Sequence, residues 1–146
     1  MHQFEVAQGF IEQCQAGAPV RALARAFQAG TEALGFRHFA CCSHVDPLQP
    51  PRRAVMLHSY PREWAELFSE LEFFEVDPVL LRASRSLVPF SWDTADFQDE
   101  LSPPQQEIFH EARRYGLTHG YTVPIHSAHA PRDFRASCSV VPDSDR

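Results

Sequence analysis

Between Tyr60 and Trp92 the chain gathers side chains with complementary hydrogen-bonding chemistry: Tyr60-Pro61-x-x-Trp64, then Asp77-Pro78, then Pro89-Phe90-x-Trp92. An indole N–H can only donate, an ionised carboxylate can only accept, and a phenol can do either. Together they fit a small molecule that offers both a donor and acceptors, so the stretch reads as one wall of a small-molecule pocket. A plainer account is that Trp64 and Trp92 are core residues and Asp77 only caps a helix, since caps and aromatic stripes are common.

Local geometry sets where these groups can point. Proline suits the first helical position, where its missing N–H would be unpaired anyway, so Pro61 and Pro78 each mark a helix start. Asp77 is then the N-cap of the second helix, accepting from the backbone N–H of Val79 or Leu80. In the first, Trp64, Phe68 and Leu71 recur at i, i+4 and i+7 and form one apolar stripe. Tyr60 lies about one turn before Trp64, close enough for phenol and indole to converge.

The rest of the chain must hold that wall. Its 146 residues suit one domain able to bury a core without disulfides. A hydrophobic share of 44% against 22% charged describes a globular chain. The formal charge of −6 comes without any run of Lys or Arg, which disfavours direct binding to a phosphate backbone. No secretory leader is visible and no segment approaches the about 20 apolar residues of a membrane span, so a cytoplasmic location without membrane attachment is expected. Cys14, Cys41, Cys42 and Cys138 lack metal-ligand spacing. All four are expected as reduced thiols in a core or pocket wall, with the adjacent pair pointing to opposite faces of a strand.

Two helices open the chain: Phe4, Ala7, Ile11 and Cys14 share one face, and Val20, Leu23, Ala24, Phe27, Thr31 and Leu34 recur at helical spacing. Gly35 ends the second in the left-handed conformation. Strands are predicted over 36–45 and 54–59 around a proline-rich turn, then over 87–92, with 93–101 polar and irregular. Ser102-Pro103-Pro104-Gln105 is a capping box, so a helix should run from Pro103 to Tyr115 with Ile108, Ala112 and Tyr115 inward and Gly116 closing it. Strands over 120–126 and 134–141, joined by the loop 127–133, complete the set. The expected fold is an α/β, α-β-α sandwich, with an antiparallel sheet of about five strands and helices on both faces.

The motifs already quoted, extended by Ala112-x-x-x-Gly116-Leu117-x-x-Gly120-x-Thr122-x-Pro124-Ile125-His126, resemble the autoinducer-binding domain of LuxR-type quorum-sensing regulators. The resemblance covers most of the chain and is strongest from Tyr60 to His126. It implies an α/β/α sandwich enclosing an N-acyl-homoserine lactone. On that resemblance Trp64 donates to the lactone carbonyl, Asp77 accepts from the ligand amide, and Tyr60 and Ser137 reach the acyl carbonyl. Trp92 packs on the lactone ring and Gly120 is structural. Ala40, Cys42, Ala54, Phe68, Val79, Leu80, Leu117 and Thr122 are the candidate pocket wall, plain core packing being the alternative for any one of them. Phe68 replaces a usual tyrosine and Val79 lacks a hydroxyl that some members carry, which bears on ligand preference more than on ligand class.

The resemblance also implies a homodimer, and DNA contact only through a helix-turn-helix domain. This chain stops at Arg146 without room for one, so it is read either as an excised ligand-binding domain or as a naturally short relative that antagonises a full-length regulator. The rival class is a small hydrolase acting on a lactone or amide. No G-x-S-x-G elbow, H-E-x-x-H pair or glycine-rich phosphate loop occurs among the six glycines. His126-x-x-His129 reads as a polar loop with two histidines rather than a metal pair. No enzyme activity, metal or cofactor is expected.

Overall fold

The computed structural model describes residues 2–46, 50, 52, 54–126 and 135–143. Elements follow the order α1 (His2–Gln15), α2 (Val20–Ala33), β1 (Phe36–Ser43), β2 (Met56–His58), α3 (Arg62–Glu70), a single 3-10 turn (Phe73–Glu75), α4 (Pro78–Arg85), β3 (Phe90–Ser91), α5 (Ala95–Gln98), α6 (Pro103–Arg113), β4 (Tyr121–Pro124) and β5 (Ala136–Pro142). All strand pairs are antiparallel, in the order β2-β1-β5-β4-β3. The expected α/β fold with a five-stranded antiparallel sheet is the observed one.

Alternation along β1 and β5 sorts the two faces of the sheet. Phe39 packs edge-on against Phe27 of α2 with ring centroids 5.1 Å apart, and Phe27 in turn meets Phe10 of α1 at 5.4 Å. On the opposite face a buried cluster joins Trp64 of α3, Val79 and Ala83 of α4, Ile108 and Ala112 of α6, Leu117 and Val141. Helices therefore cover both faces.

Several local readings hold to the residue. Asp77 caps α4, its Oδ1 accepting from the Val79 amide at 2.8 Å. Ser102 and Gln105 form the reciprocal capping box of α6, and Gly35 and Gly116 take positive φ of 98° and 76° at helix ends. Cys41 and Cys42 do point to opposite faces, since only Cys42 lines the cavity described below.

Other expectations need correction. In α1, Phe4, Ala7, Ile11 and Cys14 are exposed, and the inner face is instead the one carrying Val6 and Phe10. Leu71 is 55% exposed as the residue that ends α3, because the helix stops one turn short of carrying the stripe inward. The predicted strands 54–59 and 87–92 shrink to Met56–His58 and Phe90–Ser91. Leu87 and Val88 stay exposed, as among the described residues no neighbouring strand pairs with them. Residues 93–101 are not wholly irregular: Thr94 caps the turn α5 through the Phe97 amide, and Phe97 is buried, stacked on Phe90 at 5.6 Å. The expected loop 127–133, Phe134 and His129 lie outside the described residues.

Candidate functional site

Between the sheet and helices α3, α4 and α6 lies a cavity of about 210 Å³. A single water needs only about 10–15 Å³, so the space suits an organic molecule. Tyr60, Trp64, Asp77, Trp92 and Ser137 all line it, together with Ala40, Cys42, Phe68, Val79, Leu80 and Leu117. Two wall candidates do not. Ala54 precedes β2 and does not reach the cavity lining. Thr122 is fully buried, its hydroxyl held 2.8 Å from both the Trp92 indole nitrogen and Ser139 Oγ; it is a structural link behind the wall.

Asp77 is the most demanding group of the site. It caps α4 through the backbone N–H groups of Val79 and Leu80, and these bonds favour its anion, but burial outweighs them and pushes its carboxyl up to about 6. A carboxylate carries about four lone-pair sites, so two backbone donors leave capacity facing the cavity. Burial likewise holds the Tyr60 phenol protonated, well above its ordinary range, with the Ser139 hydroxyl as a neighbour acting the other way. Trp64 contacts Phe68, Phe73 and Tyr115 with ring centroids 5.8–5.9 Å away, which fixes its plane. Among the described residues its indole N–H has no partner, while the Trp92 indole is spent on Thr122.

Sequence reasoning missed two contributors. Ser139 also lines the cavity, two residues from Ser137 on the same face of β5, a position the period of two would have shown. His44 stands behind Ser137, Nε2 lying 2.8 Å from Ser137 Oγ, while its buried Nδ1 has no partner among the described residues. Burial, then the neighbouring His126 and Arg135, push the His44 imidazole down to about 4, so it is neutral at pH 7. A buried bare N–H is rarer than an under-used acceptor, which assigns the proton to Nε2. His44 then donates to Ser137, and the Ser137 hydroxyl keeps its own proton free for the cavity.

The cavity lining thus offers donors in Trp64, Tyr60 and Ser137 and an acceptor in Asp77, within walls that are mostly apolar but also carry Ser43, His58, Ser69 and Ser139. Among the described residues no group of three or more His, Cys, Asp or Glu gathers to hold a metal ion, and no helix is long and apolar enough to cross a membrane.

A family profile described as "Autoinducer binding domain" matches residues 20–146. The transcriptional activator protein BjaR1 of Bradyrhizobium diazoefficiens is 28% identical over 101 residues, which is 69% of this chain and 42% of that protein. The HTH-type quorum-sensing regulator RhlR of Pseudomonas aeruginosa is 32% identical over 111 residues, covering 75% of this chain and 42% of RhlR. The chain therefore spans less than half the length of these relatives, which are regulators by name and not enzymes. In fold it is similar to the crystal structure of the N-acylhomoserine lactone dependent LuxR family transcription factor CepR2 from Burkholderia cenocepacia. The TM-score is 0.75 at 18% identity, over 97% of this chain and 79% of that one.

Proposed function

Because the chain belongs to the autoinducer-binding domain family of LuxR-type quorum-sensing regulators, we propose that its cavity holds an N-acyl-homoserine lactone. The observation that carries this reading is the half-buried Asp77 carboxylate at a mostly apolar cavity that the Trp64 indole also lines. Such a ligand has one amide N–H and two carbonyl oxygens near its head. Asp77 takes the N–H, Trp64 donates to the lactone carbonyl, and Tyr60 and Ser137 donate to the acyl carbonyl, with His44 orienting Ser137. Trp92 supplies the surface against which the ring packs. Hydrogen bonds to a charged group contribute about 1.5–3 kcal/mol each, and each buried methylene of the tail about 0.8 kcal/mol. Phe68, Val79, Leu80, Leu117, Ala40 and Cys42 then meet the tail, and its preferred length follows the depth they leave.

The wider role inferred from this reading is that occupancy of the domain, in the cytoplasm, biases dimerisation and DNA binding by a helix-turn-helix domain outside residues 1–146. Mass spectrometry of the small molecule retained by protein purified from lactone-producing cells tests the ligand class. Recovery of an intact acyl lactone is the expected result. Recovery of the ring-opened or deacylated product would instead favour a hydrolase. Added lactones that leave the melting temperature unchanged would count against any ligand of this class.

A further inference from the structure

Cys41 of β1 and Cys138 of β5 stand directly opposite each other in the antiparallel ladder. Neighbouring hydrogen bonds fix which kind of pair they form. The His44 amide donates to the Arg135 carbonyl at 2.9 Å, one step beyond the Ser43 and Ala136 pair. Alternation then makes Cys42 with Ser137, and Ala40 with Ser139, hydrogen-bonded pairs, and leaves Cys41 with Cys138 as a non-hydrogen-bonded pair. The other edge of β1 gives the same answer independently: Ser43 donates to the Val55 carbonyl at 2.8 Å and Ser59 to the Phe39 carbonyl at 2.9 Å, so odd-numbered residues of β1 turn their backbone toward β2. In a non-hydrogen-bonded pair the Cα atoms lie about 4.5 Å apart and the side chains approach most closely. That spacing falls within the roughly 4.4–6.8 Å range that a disulfide spans.

We propose that Cys41 and Cys138 form a two-electron oxidation site, closed to an intrachain disulfide by a hydroperoxide. Facing each other across the ladder, the two thiols interact in a way that lowers the Cys138 thiol and raises Cys41. Cys138 is therefore the sulfur that ionises first and attacks. Its thiolate bonds to the outer peroxide oxygen, the O–O bond breaks, and water leaves once protonated, giving a Cys138 sulfenic acid. The Cys41 sulfur then attacks the sulfenic sulfur, the S–O bond breaks, and the hydroxyl departs as water with the Cys41 proton. In sum two thiols and one hydrogen peroxide give one disulfide and two waters.

Both residues are half-buried on the sheet face that carries Phe39, which admits a molecule as small as peroxide. Cys42 does not compete, because it points to the cavity and burial pushes its thiol up to about 12. The crosslink would lie behind the cavity floor, between the Ala40/Ser139 and Cys42/Ser137 pairs. The pair lies outside the cavity lining and does not depend on what the cavity binds.

Treating the full chain with hydrogen peroxide, blocking free thiols and mapping unreduced peptides by mass spectrometry tests the site. The expected product is an intrachain crosslink to Cys138, reversed by dithiothreitol. In a Cys14→Ser, Cys42→Ser background, where Cys41 and Cys138 are the remaining thiols, the same product should form. Its oxidised form should melt several degrees above the reduced form, because the bond closes a long loop in the unfolded chain. Sulfinic acid at Cys138 with Cys41 still alkylatable would overturn the proposal. So would both thiols staying free at peroxide levels that fully oxidise the exposed Cys14. The mapping is made on the unsubstituted protein, so a variant that fails to fold does not blunt it.

Discussion

Two tryptophans share one buried cluster, but their indole nitrogens meet opposite surroundings. Trp92 donates to Thr122, whose hydroxyl also meets Ser139, so this indole N–H is satisfied within the fold. Trp64 sits among aromatic rings on the α3 side and, among the described residues, its N–H makes no such bond; it lines the same cavity as a carboxylate that burial makes reluctant to ionise. The first indole is already spent inside the scaffold, and the second is the one the proposed ligand would engage. Burial alone does not separate the two, since Trp64 is 6% exposed and Trp92 5%. What separates them is hydrogen-bond accounting.

Substitutions can break that comparison. The largest effect is expected at Gly120→Val: a Cβ there would lie 2.5 Å from Cδ2 and Cε2 of Trp92, and overpacking against a rigid ring falls at the upper end of about 1–3 kcal/mol. Thermal unfolding should show it whether or not ligand is present. Next, Asp77→Ala should weaken lactone affinity by about 2 kcal/mol, the scale of a hydrogen bond to a charged group, as read by calorimetric titration. Unchanged affinity would remove Asp77 from the proposed role. Thr122→Val leaves the Trp92 N–H buried and unpaired, a loss of about 1–2 kcal/mol in stability with ligand affinity preserved. Trp64→Phe should lose about 1 kcal/mol of affinity beyond the stability cost of the smaller buried ring, which unfolding of the empty protein measures separately. If both tryptophan sides respond alike, the division into scaffold and guest-dependent wall is wrong.

The smallest effect, and the sharpest, is in pH. Asp77 has a folded pKa near 6, above the 3.8 of the free group. In the empty protein the folded state therefore binds more protons than the unfolded state between those values. Its contribution to stability is greatest below about pH 4 and declines as pH rises through 6. A ligand N–H prefers the anion, so affinity should rise as pH climbs from 5 to 7 and then level off. Asp77→Asn should flatten that profile in an affinity titration run across the same range.

Much of this wall was legible because its signals are local. Asp77-Pro78 and Ser102-Pro103-Pro104-Gln105 each specify a cap within four residues, and both form as read. The five-strand count also came through, although the edge strands β2 and β3 are shorter than predicted because their pairing depends on how far a partner runs. The misassignments share one cause. Thr122 looked like a wall residue until the sheet set it behind Trp92, and the α1 stripe was placed on the wrong side because only the packing of α2 decides which face turns inward. Likewise, nothing local in the sequence brings Cys41 and Cys138 together. Their meeting is a product of register between strands far apart in the chain.

That same strand order governs how the molecule can be made. β5, the last strand described, is not an edge but the piece slotted between β1 and β4. Until it leaves the ribosome, the nascent chain holds two half-sheets with open flanks, a condition that favours slow closure and wayward pairing. Translation must run through Pro142 before the domain can lock.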